Sequence, residues 1–489
     1  MSMHRRSLFT PPMIIDVIWF HQFIGYKKSE QPKKQAEVLK KRICNVEKFS
    51  EIYNLCIMDL FAKRVGLIDT ENAFKIGPLI RAVEEQGKEV VKCNLGEPDF
   101  PVPEFIKEEV KAQLDRDNTH YCDPQGIPSL RAAVAKQLSE TRGIRATADR
   151  VVVFPGAKPP IGLCQQTYCD PGDEIIYPSP GFPIYESFIN YVGAQPVPLH
   201  LSEERNFSFS GVDIGPLITE KTKMIILNFP SNPTGGVASP EQLRDLADVI
   251  RRRCSEEVRV FSDEVYEHIL FDESEHHSII SCPGMEKVTI LVSGASKSFS
   301  WTGGRIGWAL FPTVEEAEVF RNLNINYFSC IPPYNQEGAR IALESPLSQD
   351  AIRTMVTIFQ ERRDLVVDGL NEIEGIRCQR PKGAFYVFPN VGEVGDNLGI
   401  MDAFRSLPTD LRGKTSPSTL LQMFLLFEHQ VATMDRKSFG RIGAENFHYL
   451  RLSFATDTES LREGLRRISR ASGDREGFRR FFNRGEHLY

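Results

Sequence analysis

The sequence predicts an α/β fold, a mostly parallel β-sheet flanked by helices in one large domain, accompanied by one small domain. Three observations predict it. Between positions 151 and 292 short apolar runs alternate with helical patterns, the mark of β-α-β units. The runs are rich in β-branched residues and almost wholly apolar, as strands buried on both faces are. The chain has 489 residues, enough for an α/β domain of about 200–250 residues and a second, smaller one.

The strand candidates, in order, are residues 151–154, 174–177, 224–227, 258–261 and 288–292. Between the third and fourth, Ser239-Pro240-Glu241-Gln242 supplies an N-cap serine, a proline in the first helical turn and a glutamine for a capping box. Leu243, Leu246, Ala247 and Ile250 then recur on one helical face. Thr313-Val314-Glu315-Glu316 reads as a second capping box. Residues 392–417, rich in Gly, Pro, Ser and Thr, read as a mobile loop. No internal repeat or low-complexity tract interrupts the chain.

Hydrophobic residues make up 41 % and charged residues 25 %, an ordinary globular composition. A net charge of −6 argues against a nucleic-acid or anionic-membrane partner. The ten cysteines form no C-x-x-C pair, so neither a zinc site nor a disulfide framework is expected, and no metal. Cys122, Cys164 and Cys169 read as core filler. Reduced thiols point to the cytoplasm. The mitochondrion is the alternative, because residues 1–15 carry His4, Arg5 and Arg6 and no acid. The apolar run 13–20 is broken by Asp16 and too short for a membrane helix, and residues 27–51 read as a solvated helix.

In open α/β sheets, ligands bind beyond the carboxyl ends of the strands. Asn232, Asp263 and Lys297 each follow a predicted strand, so chemical groups spread over 65 residues converge on one edge. Lys297 sits in Ser-Gly-Ala-Ser-Lys-Ser-Phe-Ser-Trp-Thr-Gly-Gly-Arg-Ile-Gly (293–307), where small neighbours leave a solubilising charge without a purpose. Arg305, eight residues on, can grip phosphate oxygens in a bidentate way. Gly156-Ala157-Lys158 open a helix after the first strand, and free N–H groups at a helix start attract phosphate. Asp263 and Tyr266 stand in Ser-Asp-Glu-Val-Tyr (262–266), and Asn232 in Asn-Phe-Pro-Ser-Asn-Pro-Thr-Gly (228–235). Asn-Pro-Thr-Gly alone is a turn signal, so Asn232 counts only through its company. Arg451 alternates with apolar residues in Tyr-Leu-Arg-Leu-Ser-Phe-Ala, and an arginine buried in a strand needs an anion. The set supplies an amine for an imine, an arginine for a phosphate, a carboxylate for a ring nitrogen, and an amide and phenol for a ring oxygen. Those are the needs of pyridoxal 5′-phosphate (PLP).

Further stretches stand in a telling order: Asn-Leu-Gly-Glu-Pro-Asp-Phe (94–100), Tyr-Cys-Asp-Pro-Gln-Gly (121–126), Pro-Gly-Asp-Glu-Ile-Ile-Tyr-Pro (171–178), Pro-Lys-Gly-Ala-Phe-Tyr-Val-Phe (381–388) and Arg-Leu-Ser-Phe-Ala (451–455). With them the chain resembles the class I/II aminotransferases of fold type I, closest to the aspartate aminotransferase-like branch, from about Ala62 to about Arg470. The resemblance implies a large PLP-binding domain with a seven-stranded sheet at 106–345 and a small α+β domain at 346–489. An N-terminal arm at 59–105 would contribute to the small domain, leaving residues 1–58 as an extension of unknown role. It implies ping-pong transfer of an amino group between an L-amino acid and a 2-oxo acid, with Lys297 as Schiff base and proton carrier. Asp263 would keep the ring nitrogen protonated, and Tyr266 and Asn232 would bond the ring 3-oxygen. Gly156, Ala157, Lys158 and Arg305 would hold the phosphate, and Phe182 would stack on the ring. Arg451 would take the substrate α-carboxylate beside Asn232 and Gly96. Tyr121 would reach the phosphate of a neighbouring subunit, implying a homodimer.

Several positions depart from the family pattern. Gly294 replaces a serine found in some members, leaving Ser293 or Ser296 as substitutes, and Gly304 replaces a common tryptophan. Asp435-Arg436 replace Pro-Gly; Arg436 and Lys437 are expected as solvated loop charges rather than ligands of a substrate carboxylate. The same scaffold carries C–S lyases and cyclopropane-forming synthases, and a non-catalytic interaction protein is the reading from another class.

Overall fold

The computed structural model describes residues 60–69, 71–444 and 448–485; the expectations for residues 1–58 fall outside them. Described residues 60–66 belong to a unit of their own, in which Lys63–Gly66 is a 3-10 turn. The second unit begins at Leu67. Its first strand, β1 (Val91–Lys92), is followed by β2 (Val151–Phe154), β3 (Glu174–Ser179), β4 (Gln195–His200), β5 (Thr222–Asn228), β6 (Arg259–Asp263), β7 (Thr289–Gly294) and β8 (Gly307–Leu310). Strands β2 to β8 form one seven-stranded sheet in the order β2-β8-β7-β6-β5-β3-β4. Only β8 runs antiparallel to its neighbours. The central strands are apolar because helices cover both faces; every residue of β2 and β7 is buried.

The five strands expected from the sequence are present, and two more complete the sheet. Strand β4 carries Pro196 and Pro198, which have no N–H to donate, and it lies at the sheet edge where that loss is tolerated. Strand β8 (Gly307–Leu310) is as short as β2 but opens with a glycine and holds no β-branched residue, so it lacks the signal that marks β2. The remaining strands are β9 (Tyr386–Val387), β10 (Val431–Ala432), β11 (Met434–Asp435) and β12 (Leu450–Ser453). They form an antiparallel sheet β11-β12-β9 and a parallel pair β1-β10, so a segment preceding the large sheet joins strands that follow it.

The helix Pro240–Arg253 has its full capping box, with Gln242 N donating to Ser239 Oγ at 3.2 Å and Ser239 N to Gln242 Oε1 at 2.8 Å. At the helix Val314–Phe328 only half of the expected box forms: Glu316 N donates to Thr313 Oγ1 at 3.2 Å. The Glu316 carboxylate is drawn away by Arg259 at 2.9 Å and the Tyr168 hydroxyl at 2.5 Å. Residues 392–417 are not the mobile loop their composition predicts. They fold as Gly392–Leu398, Ile400–Ser406 and Thr409–Lys414, because Val394, Leu398 and Ile400 reach the core and Gly399, at φ +78°, turns the chain between the first two helices. No helix among the described residues is long and apolar enough to cross a membrane, and all eight described cysteines are free thiols, with Cys164 and Cys169 buried and Cys122 half-buried.

Gly294 ends β7 where β8 passes close. A Cβ there would lie 2.8 Å from Ile306 O and 2.9 Å from Gly307 Cα, so backbone contact excludes a side chain. Gly294→Ala and Gly294→Ser are both expected to destabilise the fold by about 1–3 kcal/mol through forced strand displacement. Urea unfolding followed by fluorescence checks this; wild-type stability in either variant would refute it.

Candidate active site

A cavity of about 440 Å³ opens beyond the carboxyl ends of β2, β5, β6 and β7, the strand ends from which Lys158, Asn232, Asp263 and Lys297 reach its wall. Lys297 lies in the single helical turn Ala295–Ser298 that follows β7. Its Nζ donates to Gly96 O at 2.6 Å. Burial pushes this amine down to about 8; Glu71 and Glu97 oppose the shift, and Lys158 and Arg451 add to it. Gly96 is fixed as glycine, since a Cβ would collide with the Tyr386 hydroxyl.

Asp263 is the last residue of β6 and is buried. Its Oδ2 accepts from the Tyr185 hydroxyl at 2.7 Å, and burial pushes the carboxyl up to about 6. Asn228 Nδ2 donates to Asp263 O at 3.1 Å while its Oδ1 accepts from Asn232 N at 2.9 Å, locking the loop that carries Asn232. The Tyr266 and Tyr386 hydroxyls share a hydrogen bond of 2.8 Å.

Behind this turn lies a buried ionic cluster. Glu264 accepts from Arg142 Nη2 at 2.9 Å and Ser262 Oγ at 2.8 Å, and faces His276 Nε2 at 2.8 Å. Against the upward push of burial, Arg142 and His276 hold Glu264 down at about 2. Glu267 pairs with the same Arg142 and accepts from Ser293 Oγ at 2.5 Å. The cluster ties the Asp263–Tyr266 turn to β7, which leads to Lys297.

Arg451 is buried on β12. It donates to Asn232 Oδ1 at 3.2 Å and to Asn94 O, with the Tyr386 and Phe439 ring centres at 4.6 and 4.9 Å. Its Nε has no hydrogen-bond partner, and no carboxylate among the described residues pairs with it. A buried cation in that state is a place for an anion.

A second anion cradle lies at the end of β2. Gly156 has φ +92°, and a Cβ there would run into the Arg305 guanidinium. Arg305 is exposed to the cavity mouth and donates to Thr302 O at 2.7 Å and Pro155 O at 3.0 Å. Ala157 caps the helix Lys158–Tyr168. Pro159 and Pro160 carry no N–H and Gly156 N already donates to Phe154 O at 2.7 Å, so the free donors at this helix start are the Ala157 and Lys158 N–H groups. The Lys158 ammonium turns instead to Glu71, its ion-pair partner. Phe182 lines the cavity edge-to-face with Tyr185, centroids 5.7 Å apart.

Other expected residues fall elsewhere. Tyr121 is 87 % exposed and does not line this cavity. Arg436 is not a solvated loop charge: it is buried, donating to Gly440 O at 2.9 Å and Ser179 Oγ at 3.0 Å, because three acceptors replace water around it. Lys437 donates to Gly413 O at 2.7 Å, outside the cavity wall. Ser293 is turned to Glu267, which leaves Ser296 on the cavity wall. The Trp301 ring fills the space beside Gly304. Tyr185, Asn228, Tyr386 and Glu71 were not read from the sequence. Asn228 and Tyr386 stand inside the quoted motifs and Tyr185 three residues after Phe182; Glu71 and Arg142 carry no local signal.

Residues 88–468 match the family model described as aminotransferase class I and II. The chain is 34 % identical over 411 residues to a probable aspartate/prephenate aminotransferase of Aquifex aeolicus, covering 84 % of this chain and 98 % of that one. It is similar to the solved aspartate aminotransferase of Rhizobium meliloti, at TM-score 0.75, 31 % identity, and 84 % and 98 % coverage. An aromatic aminotransferase of Pyrococcus horikoshii gives 0.71 and 32 %, with 81 % and 100 % coverage.

The folded-state value of Asp263, about 6, lies above the unfolded carboxylate's, so the folded state binds a proton more tightly between the two. The resulting penalty is absent below pH 4, grows through 6 and is complete above it. Asp263→Asn should therefore stabilise the cofactor-free protein at pH 8 by up to about 3 kcal/mol and give no gain at pH 4. Denaturant unfolding at both pH values decides; equal effects at both would refute the assignment.

Proposed function

The chain belongs to the class I and II aminotransferases, and from that premise we propose how its own residues carry out the transfer. It is a PLP-dependent enzyme that moves an amino group between an amino acid and a 2-oxo acid in a ping-pong cycle. When bound, PLP supplies an aldehyde for the amino group and a pyridinium that accepts an electron pair. The residues present fit that group: a buried carboxylate lacking a cation, an anion cradle of backbone donors beside an arginine, and an amine of lowered pKa.

In our reading, Asp263 gains its missing counter-charge from the ring nitrogen and keeps it protonated. Tyr185 and Asn228 hold Asp263 in place. Tyr266 and Asn232 would bond the ring oxygen, Phe182 would cover the ring, and the Ala157 and Lys158 N–H groups and Arg305 would hold the phosphate, with Gly156 allowing its close approach. Arg451, with Asn232 and Gly96 beside it, receives the substrate α-carboxylate in a bidentate grip. Lys297 is the covalent anchor. Once displaced, its Nζ takes the proton from the substrate Cα and releases it later in the cycle. The observation that carries this reading is the Lys297 amine: pushed to about 8, it is deprotonated in an appreciable fraction at neutral pH and sits on the cavity wall.

We propose a homodimer in which Tyr121, exposed and apolar-ringed, enters the neighbouring site. We also propose domain bounds at 59–105, 106–345 and 346–489, supported by the pairing of β1 with β10, and a cytoplasmic setting in which the thiols stay reduced.

Adding an amino acid alone to the PLP-loaded enzyme should yield pyridoxamine phosphate and one equivalent of 2-oxo acid per site. A C–S lyase or a cyclopropane-forming synthase would return the aldehyde form. Lys297→Ala should lower the half-reaction rate by at least about 10²-fold, the scale of a lost acid–base group, and abolish borohydride trapping on peptide 293–307. An unchanged rate in that variant would refute the assignment.

A further inference from the structure

Among the described residues, the cations on the cavity wall are Lys158, Lys297, Arg305 and Arg451. On the reading above, three of them have work: the amino group, the phosphate and the substrate α-carboxylate. The fourth, Lys158, is ion-paired with Glu71, and its ammonium lies 5.9 Å and 5.5 Å from the ring centres of Phe74 and Phe182. Arg436 and Lys437 spend their donors on backbone carbonyls and Ser179.

Among the wall residues without a role in that reading, Glu71, Phe74 and Leu95 offer a surface for the substrate's own side chain, and Glu97, bonded by Thr302, adds a second carboxylate to the wall. Phe74 is 64 % and Leu95 40 % exposed, apolar surface on the cavity that a bound side chain would cover. The segment carrying Glu71 and Phe74 is fastened on both sides. Asp69 N donates to Ser187 Oγ at 2.8 Å, and Asn72 Nδ2 to Ser438 Oγ at 2.8 Å.

We propose that Glu71 and Phe74 are specificity-determining residues that select an amino acid with a neutral apolar or aromatic side chain and reject a second carboxylate. The proposal rests on the placement of the α-carboxylate at Arg451. A distal carboxylate meets the like charge of Glu71 and must take Lys158 from it. An apolar side chain covers Phe74 and Leu95 and leaves the ion pair intact. The relatives named above include aspartate and aromatic enzymes, so membership of the family does not decide the matter.

The test compares wild type, Glu71→Gln and Glu71→Asp as PLP-loaded enzymes. One arm measures half-reaction kcat/KM for phenylalanine, leucine and aspartate. The other measures calorimetric Kd for 3-phenylpropanoate and succinate, which bind without reacting. Wild type should favour phenylalanine over aspartate, and 3-phenylpropanoate over succinate, by about tenfold or more. Glu71→Gln frees Lys158 and should narrow both ratios about tenfold, while Glu71→Asp keeps them. A wild-type preference for aspartate and succinate, or ratios unmoved in Glu71→Gln, overturns the proposal. If no amino acid forms pyridoxamine phosphate while the binding ratios behave as stated, the transamination reading falls and the selective wall stands.

Discussion

Buried charge without a counter-charge at the cavity wall is the constraint on which the rest of this structure depends. Asp263 and Arg451 are both buried, and neither has an opposite charge in direct contact among the described residues. Such groups are costly to fold around, since removal from water disfavours their charged forms. They persist because the surrounding structure holds them rigidly: Tyr185 and Asn228 on Asp263, Asn232 and Asn94 on Arg451. On the proposed assignment, a charged heterocycle and a carboxylate substrate would bring the missing counter-charges.

The cost is borne by a scaffold stiff enough not to relax. Parallel strands buried on both faces present their carboxyl ends in one row, which is how residues far apart in sequence meet. Behind that row, Arg142 bridges Glu264 and Glu267, and Glu267 is tied to Ser293 on β7. This pairing differs in kind from the cavity's charges. Its carboxylates share the Arg142 cation, whereas the adjacent Asp263 has hydrogen-bond donors but no cation in direct contact among the described residues.

Glycine marks the places where backbone or ligand must come close. Gly96 leaves room for the Tyr386 hydroxyl, Gly156 for the Arg305 guanidinium, and Gly294 for the passing β8. The departure at 294 from a serine is thus steric as well as chemical. At 304 the neighbouring Trp301 ring already fills the volume a larger side chain would take.

The sequence alone determined the α/β class, five of the seven strands of the large sheet and the polar residues at the cavity edge, because apolar periodicity and short motifs are local signals. Strands β4 and β8 escaped it, one disguised by prolines and the other opening with a glycine and lacking β-branched residues. Tertiary structure decided the pairings between distant segments: Lys158 with Glu71, Arg451 with Asn232, and the Tyr266–Tyr386 hydroxyl contact. It also turned Arg436, expected in solvent, into a buried cation, and folded residues 392–414 into helices despite their loop-like composition. For the pairings, the partners arrive from chain segments tens to hundreds of residues away; for Arg436, Ser179 does so while Phe439 O and Gly440 O come from its own turn. No local pattern records what will pack against a residue once the sheet has formed.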